Sequence, residues 1–198
     1  MTKQLAFLFD ASHCTGCDAC QIACKDKNNL PPGMLFRRVT EVAGGSFEQR
    51  GAAIIPHVYA FWLSISCNHC LKPVCAEHCP VGALVKNKET GVVELLREKC
   101  IGCRRCIDAC PYGAIQYDEA ARKAAKCDFC ADLLVQGKSP ACVASCPMRV
   151  LDYGELTALR TCYGNVSTTA GLPDAFLTDP ALVIIPHRDA IKMMGKDI

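Results

Sequence analysis

CIGCRRCIDACP, residues 100–111, is the stretch of sequence that decides the fold of this chain. It holds four cysteines and a closing proline: Cys100, Cys103, Cys106, Cys110 and Pro111. Cysteines spaced by three in a curled loop can present three sulfurs to three corners of one 4Fe–4S cube, and Gly102 lets the backbone approach. The fourth cysteine lies one helical turn further on, where it can reach a neighbouring cluster. The spacing is typical of an iron–sulfur protein.

Three further runs have a similar pattern, so that four sets of four account for all but one of the 17 cysteines. The sets are Cys14, Cys17, Cys20 and Cys24; Cys67, Cys70, Cys75 and Cys79; Cys100, Cys103, Cys106 and Cys110; and Cys127, Cys130, Cys142 and Cys146. A cubane cluster takes four thiolates, so we expect four 4Fe–4S clusters, bound through iron by these sixteen cysteines. A chain built around four redox centres is expected to transfer electrons. No nucleophile–base pair or phosphate-binding loop predicts a catalytic residue.

Two other uses of cysteine fit the sequence less well. A secreted disulfide scaffold would suit so many cysteines. Three cysteines separated by gaps of only two residues, however, cannot easily form disulfides with one another. The apolar stretch at residues 5–9 is also too short for a secretory signal. Structural zinc explains the Cys-x2-Cys pairs, but neither the third cysteine of each triplet nor the recurring Cys-Pro. A zinc-held interaction module stays a remote alternative.

One cysteine and the histidines lie outside the ligand pattern. We interpret Cys162 as a free thiol or a small packed hydrophobe. His69 and His78 fall within the second set, but a Rieske-type site replaces two thiolates by histidines, and all four thiolates are present there. We therefore expect both histidines to be at the surface or behind the ligands.

Composition limits the kinds of partner. The 198 residues suit one domain or two small ones, and the low aromatic content of 7% indicates small cores. The clusters are then expected to supply much of the folding free energy, leaving the apo-chain largely unfolded. No stretch approaches the eighteen apolar residues of a membrane helix, so we expect no direct membrane span, and no nucleic-acid partner. Arg104 and Arg105, between two cysteines of the third set, are candidates for raising a cluster potential.

An internal repeat indicates how the elements are arranged. After Cys79, Cys110 and Cys146 a helix end is followed by a short apolar run that reads as a strand. Other predicted elements are a strand at 4–9, short helices at 18–27 and 104–109, and a hairpin of 82–85 with 92–95.

The predicted fold class is α+β, with two ferredoxin-like modules of two clusters each, interleaved in sequence. Sets two and three, separated only by a hairpin, suit an inner module at 51–119, and sets one and four then form an outer module from 1–50 plus 120–155. Residues 28–56 are expected to be a loop-rich insert that need not pack against a cluster, and 156–198 a partner-contacting tail instead of a core. Pairing of set one with two and set three with four is the alternative, which spacing alone does not exclude.

Five stretches carry a resemblance to a known family over residues 1 to about 190. They are CTGCDAC at 14–20, FRRV at 36–39, AGGSF at 43–47, SISCNHC at 64–70 and CIGCRRC at 100–106. Together with the x4 gap in set two and the x11 gap in set four, they resemble the four-cluster ferredoxin-like subunits of membrane-bound molybdopterin oxidoreductases. The linking segments are most similar to the dimethyl sulfoxide reductase branch.

The resemblance implies which cysteines share a cluster. It joins Cys14, Cys17 and Cys20 with Cys146; Cys24 with Cys127, Cys130 and Cys142; Cys67, Cys70 and Cys75 with Cys110; and Cys79 with Cys100, Cys103 and Cys106. Some relatives have tryptophan in the third set and hold a 3Fe–4S centre. All four cysteines are present here, which implies four 4Fe–4S clusters.

The resemblance also implies a role in anaerobic respiration. The chain would be a non-catalytic subunit that relays electrons between a quinol-oxidising integral membrane anchor and a molybdopterin catalytic subunit such as dimethyl sulfoxide reductase. The alternative is the same relay in a polysulfide, tetrathionate or nitrate reductase, or in a formate dehydrogenase or hydrogenase. The chain would then be peripheral on the cytoplasmic membrane through its partners. The membrane face and the direction of electron flow are left open.

Overall fold

Short helices alternate with small sheets along the computed structural model, which describes residues 3–195. The strands are β1 (Leu5–Asp10), β2 (Arg38–Arg50), β3 (Ala53–Ile65), β4 (Leu84–Lys86), β5 (Val93–Leu95), β6 (Ile115–Asp118), β7 (Lys123–Lys126), β8 (Leu151–Glu155) and β9 (Leu182–Ile185). The helices are α1 (Ala19–Lys27), α2 (Val74–Glu77), α3 (Arg105–Ala109), α4 (Ala131–Val135), α5 (Ala141–Ala144), α6 (Leu156–Tyr163) and α7 (Arg188–Met193), with a 3₁₀ turn at Ala175–Leu177. This mixture confirms the predicted α+β class. Residues 1–2 of the expected outer module and 196–198 of the expected tail lie outside the described residues.

Two short hairpins form the inner part of the fold. In the first, β4 pairs with β5, with Leu84 opposite Leu95, as the sequence predicts. In the second, β6 pairs with β7 around a turn at 119–122, so the expected module boundary at 119/120 falls within a hairpin. Ala124 of β7 is buried in the same small core as the first hairpin. Residues 123–126 therefore pack with the inner module, a contact that cysteine spacing does not reveal.

The outer part is built on a three-stranded sheet in the order β8-β1-β9. The central strand β1 pairs antiparallel with β8 and parallel with β9. Its apolar run at 5–9 is buried on both faces, as expected of a strand covered on two sides. Leu156 and Leu159 of α6 lie over one face, and the Phe129 ring stacks on Phe7 at 4.2 Å on the other.

The tail contributes to this sheet, so the expectation that it forms no core was wrong. Leu182, Val183 and Ile184 of β9 are buried beside β1. The segment is only four residues long and is flanked by Pro180 and Pro186. A run this short between prolines reads as coil, and only its pairing with β1, far away in sequence, makes it a core strand.

The expected loop-rich insert contains a long hairpin. Strand β2 pairs with β3 along thirteen residues, from Arg38 opposite Ile65 to Arg50 opposite Ala53. Glycine and proline predict a loop here, but both strands of this two-stranded sheet are edge strands, where a proline such as Pro56 is tolerated. The residues before the hairpin also pack against cysteines, because Met34 and Phe36 are buried in one apolar core with Cys24, Cys67 and Cys127.

Within residues 3–195, no helix is both long and apolar enough to span a membrane.

Candidate iron–sulfur sites

Three pockets are each lined by four cysteines. Site A is the pocket lined by Cys14, Cys17, Cys20 and Cys146. Site C is the pocket lined by Cys67, Cys70, Cys75 and Cys110. Site D is the pocket lined by Cys79, Cys100, Cys103 and Cys106. The last cysteine of three sets thus lies with the first three of another set, which is the grouping that the family resemblance implied.

The remaining four cysteines, which we call site B, are mostly buried and close together. Burial raises the pKa of Cys24 to about 11, and the nearby sulfurs of Cys142 and Cys130 contribute to the rise. Burial also raises the pKa of Cys127 well above its ordinary value, with Cys67 of site C, Cys24 and Cys142 adding to it. The structure therefore brings set one together with set four and set two with set three.

Left-handed backbone curls the cysteine loops before the helices begin. In site A this conformation occurs at Gly16 and at Asp18, and in site D at the equivalent residues Gly102 and Arg104. A Cβ atom at Gly102 would lie 2.4 Å from the carbonyl oxygen of Arg122, so the close approach requires glycine at that position. The helices α1 and α3 start directly after these loops and carry the following cysteines inward.

Polar hydrogens surround several of the sulfurs. The Ala83 N–H donates to the Cys79 sulfur at 3.2 Å, and the Phe129 N–H donates to the Cys127 sulfur at 3.4 Å. Burial acts to raise the pKa of Cys79, but the N–H groups of residues 81–84 outweigh it and lower the pKa. The Ser64 hydroxyl lies 3.3 Å from the Cys20 sulfur. Such donors stabilise thiolate ligands.

The sites fit a 4Fe–4S cluster better than a single ion. A tetrahedral zinc would draw all four sulfurs to about 2.3 Å from a single point. Among the described residues, no three metal-ligating side chains are placed to hold one ion. Asn68 lines site C, and its buried side-chain nitrogen has no hydrogen-bond partner within residues 3–195. A cluster sulfide would supply the missing acceptor.

The four sites follow one another in the order A, B, C, D. Sites A and B adjoin because α1 carries Cys20 of site A and Cys24 of site B. Sites B and C adjoin because Cys127 of site B and Cys67 of site C are buried in one packed core. The cysteines of site D share a packed core with Cys75 and Cys110 of site C. The sequence left this order open.

Two buried cations lie near the cysteines of sites A, B and C. Arg37 is near Cys20 of site A and Cys142 of site B. The Lys126 ammonium donates to the carbonyl oxygens of Cys127 and Val93. Sequence reasoning missed Arg37, because two adjacent arginines, Arg37 and Arg38, give no signal that one of them is buried. The arginine pair that it favoured is exposed instead.

In the exposed pair of Arg104 and Arg105, the Arg104 side chain is held by two neighbouring side chains. Arg104 lies 3.7 Å from the centre of the Tyr117 ring and forms an ion pair with Glu119 at 3.2 Å. This ion pair offsets the positive charge that the sequence analysis assigned to site D. Arg105 is exposed at the start of α3.

The two histidines of set two have different environments. His69 is fully buried and its Nδ1 accepts a hydrogen bond from the Val93 N–H at 3.1 Å. Burial, with Lys126 and Lys86 nearby, lowers its pKa well below the ordinary value, so the ring is neutral. His78 is exposed, as is Cys162 on α6, away from all four sites.

Known proteins share these cysteine-rich segments. The family model for a 4Fe-4S dicluster domain matches residues 58–156, and that for a 4Fe-4S binding domain matches residues 11–27. The chain is 46% identical over 190 residues to the B subunit of anaerobic dimethyl sulfoxide reductase from Escherichia coli (strain K12), covering 96% of this chain and 92% of the relative. It is 43% identical over 189 residues to the protein of the same name from Haemophilus influenzae, covering 95% and 92%. It is 39% identical over 157 residues to the thiosulfate reductase electron transfer subunit PhsB of Salmonella typhi, covering 79% and 78%.

Proposed function

This chain belongs to the family of the iron–sulfur subunits of anaerobic dimethyl sulfoxide reductase, and on that premise we propose that it relays electrons between a quinol-oxidising membrane anchor and a molybdopterin catalytic subunit. It is a 4Fe–4S electron-transfer subunit, as its relatives are. The observation that carries the proposal is the row of four cysteine sites, three of which are pockets lined by four cysteines each.

The proposed ligands are the sixteen cysteines of sites A to D, one cluster for each site. When bound, a 4Fe–4S cluster supplies reversible one-electron chemistry. The chain's own residues hold the sulfurs, bury them and orient N–H donors towards them. Cys162 is left out, because it is exposed on α6 and apart from the sites.

The crossing cysteines hold neighbouring sites at a fixed spacing. Cys146 follows α5 but belongs to site A, whereas Cys142 within α5 belongs to site B. Helix α1 likewise carries Cys20 for site A and Cys24 for site B. Because α1 carries a ligand of each site, and Cys146 follows within two residues of α5, the two sites are held at a short separation. A rigid, short separation is what rapid electron transfer between centres requires.

The chain is proposed to lie on the membrane through its partners. The relatives carry names of reductase subunits, and the sequence of this chain offers no nucleophile–base pair of its own for substrate chemistry. A catalytic subunit and a membrane anchor would complete the complex. Either end of the row, site A or site D, would then face one of the two partners.

Co-purification from native membranes tests the proposal. The tagged chain, isolated anaerobically after mild detergent extraction, is expected to bring with it a large molybdenum-containing protein and an integral membrane protein. The C162S variant is the matched control, because it removes a cysteine outside the sites and should retain both partners. A chain that holds its iron but comes from native membranes without molybdenum would contradict the relay.

A relay to thiosulfate or another sulfur oxyanion is a second candidate. The 39% identity to an electron transfer subunit of thiosulfate reductase favours it, although the match covers 79% of this chain compared with 96% for the sulfoxide reductase relative. Quinol oxidation by the purified complex, measured with dimethyl sulfoxide, thiosulfate, tetrathionate and nitrate in turn, separates the candidates.

A further inference from the structure

Arg37 is a charged side chain with an unusual environment. It is only 2% exposed, and its guanidinium lies 4.8 Å from the centre of the Phe7 ring. One terminal nitrogen donates to the Ser64 carbonyl oxygen at 2.8 Å and to the Ser64 hydroxyl at 3.2 Å. The other donates to the Ser66 hydroxyl at 3.0 Å. All of these acceptors are neutral.

No carboxylate among the described residues balances this charge. None of the ion pairs found there includes Arg37, and its buried Nε atom has no hydrogen-bond partner in residues 3–195. A buried charge without a counter-charge is costly, and arginine cannot escape the cost by losing its proton. An anion that the protein carboxylates do not provide must therefore lie nearby.

The sulfurs around Arg37 belong to two sites. Burial alone would lower the pKa of Arg37, but thiolates at Cys142, Cys20 and Cys127 outweigh it and raise the pKa. Cys20 is part of site A, and the other two are part of site B. The Ser64 hydroxyl contacts both the guanidinium and the Cys20 sulfur. Arg37 thus lies at the junction of two sites that are proposed to hold anionic clusters.

We propose that Arg37 is a shared counter-cation of sites A and B that raises the reduction potentials of both of their clusters. This inference rests on the proposed occupation of these sites by clusters. Reduction adds one electron to a cluster and makes it more negative, so a positive charge nearby stabilises the reduced form. The low dielectric around a fully buried guanidinium strengthens this effect.

The other sites have different cations. Lys86 lies beside site C, where its ammonium donates to the carbonyl oxygens of Cys70 and Gly91. Lys126 lies between sites B and C. The arginine at site D is exposed and paired with Glu119. Removal of the Arg37 charge should therefore affect the clusters of sites A and B and leave that of site D unchanged.

A redox titration of the holo-protein, followed by electron paramagnetic resonance, tests the inference. In R37Q the equilibrium constant for one-electron reduction should fall about tenfold for two of the four clusters, which corresponds to about 59 mV for each. R37K keeps the charge and should restore most of the shift. R50Q is the control for net charge, because Arg50 is 65% exposed at the hairpin tip and pairs with Glu48 there. It should leave all four potentials unchanged.

Two outcomes overturn the inference. One is an R37Q protein with full iron content and unshifted potentials, and the other is an R37K protein that is shifted as far as R37Q. If R37Q does not retain its clusters, iron content becomes the measurement: retention in R37K supports the role of charge, and loss in both variants contradicts it. Failure of the proposed function is distinct, because the unsubstituted chain would then contain no iron or find no molybdenum partner.

Discussion

Burial keeps many of the cysteine sulfurs protonated until iron replaces the proton. Burial, followed by neighbouring sulfurs, raises the pKa of Cys70 to about 11 and that of Cys75 to about 12. For Cys106 burial is again the main cause and the pKa is about 11. These thiols are neutral at pH 7 without metal, so cluster binding releases protons and gains its free energy from the iron–sulfur bonds. The buried cysteines of a site are therefore held as thiolates by the metal that they bind.

Replacement of one proposed ligand should affect one cluster. In C106S we expect iron content to fall by about one to four atoms per chain, because serine leaves one corner of the cube without a thiolate. C162S, which changes the exposed cysteine on α6, should keep its full iron content. Iron and acid-labile sulfide are measured on both proteins after anaerobic purification. Equal iron in the two variants would show that site D is not a cluster site.

Gly102 should be far less tolerant than Gly82. Both have positive φ, +70° and +59°, so alanine is strained by about 1 kcal/mol at either position. At Gly102 the new Cβ would also meet a backbone oxygen at 2.4 Å, whereas none of the described residues comes within 4 Å at Gly82. We expect G102A to lose about 1–3 kcal/mol more stability than G82A. The guanidinium concentration that bleaches the visible absorption gives the comparison, and equal midpoints would contradict the close approach.

At the scale of single residues, the sequence alone was sufficient to propose the cysteine ligands. It was not sufficient to predict which side chains are buried around them. A ligand spacing is local, so the sixteen cysteines could be proposed without coordinates. The burial of Arg37 depends on Phe7 and Ser64, which are distant from it in sequence. The burial of His69 likewise depends on Val93 and Phe129. Contacts of this kind arise only after the chain has folded.

Elements with a clear local signal were predicted, whereas β9 and the hairpin of β2 and β3 were not. The hairpin of β4 and β5 has its turn residues within the segment, and α1 and α3 follow from the cysteine loops. The strand β9 is stabilised by β1, which lies near the opposite end of the chain. The hairpin of β2 and β3 forms despite the glycine and proline in its own sequence, because pairing along its full length gives the inward backbone groups partners.

Truncation of a β9 side chain tests whether the tail is part of the core. Val183 is 0% exposed in β9, and V183A should lower the free energy of unfolding by about 2 kcal/mol. Val135 is 90% exposed at the end of α4, and V135A should change stability by less than about 0.5 kcal/mol. Bleaching of the visible absorption in guanidinium chloride serves for both. A V183A protein as stable as V135A would contradict the assignment of β9, and with it the tail, to the core.

On the scale of the whole molecule, the four sites connect segments that are far apart in sequence. Site A joins Cys20 to Cys146, and site B joins Cys24 to Cys142. Spacing alone allowed two ways of pairing the sets, and the family resemblance favoured the interleaved one. The order A, B, C, D required coordinates, since it depends on contacts such as Cys127 with Cys67.

Removal of the clusters should unfold much of the chain. The sheets have two or three strands each, and the buried apolar residues form separate cores that include site cysteines, so the metal sites are expected to provide the long-range connections. After treatment with a chelator and an oxidant, we expect loss of far-ultraviolet circular dichroism and rapid proteolysis. An apo-chain that keeps its dichroism would show that the protein core is sufficient without metal.

The most direct measurement is the metal and sulfide content of the full chain, purified anaerobically and examined by electron paramagnetic resonance after reduction. Four occupied sites predict a brown protein with about 16 iron atoms and about 16 acid-labile sulfides per chain, and a reduced spectrum with the interactions expected of adjacent clusters. A colourless protein with stoichiometric zinc, or one with about half of this iron, would contradict the assignment of four clusters to sites A to D.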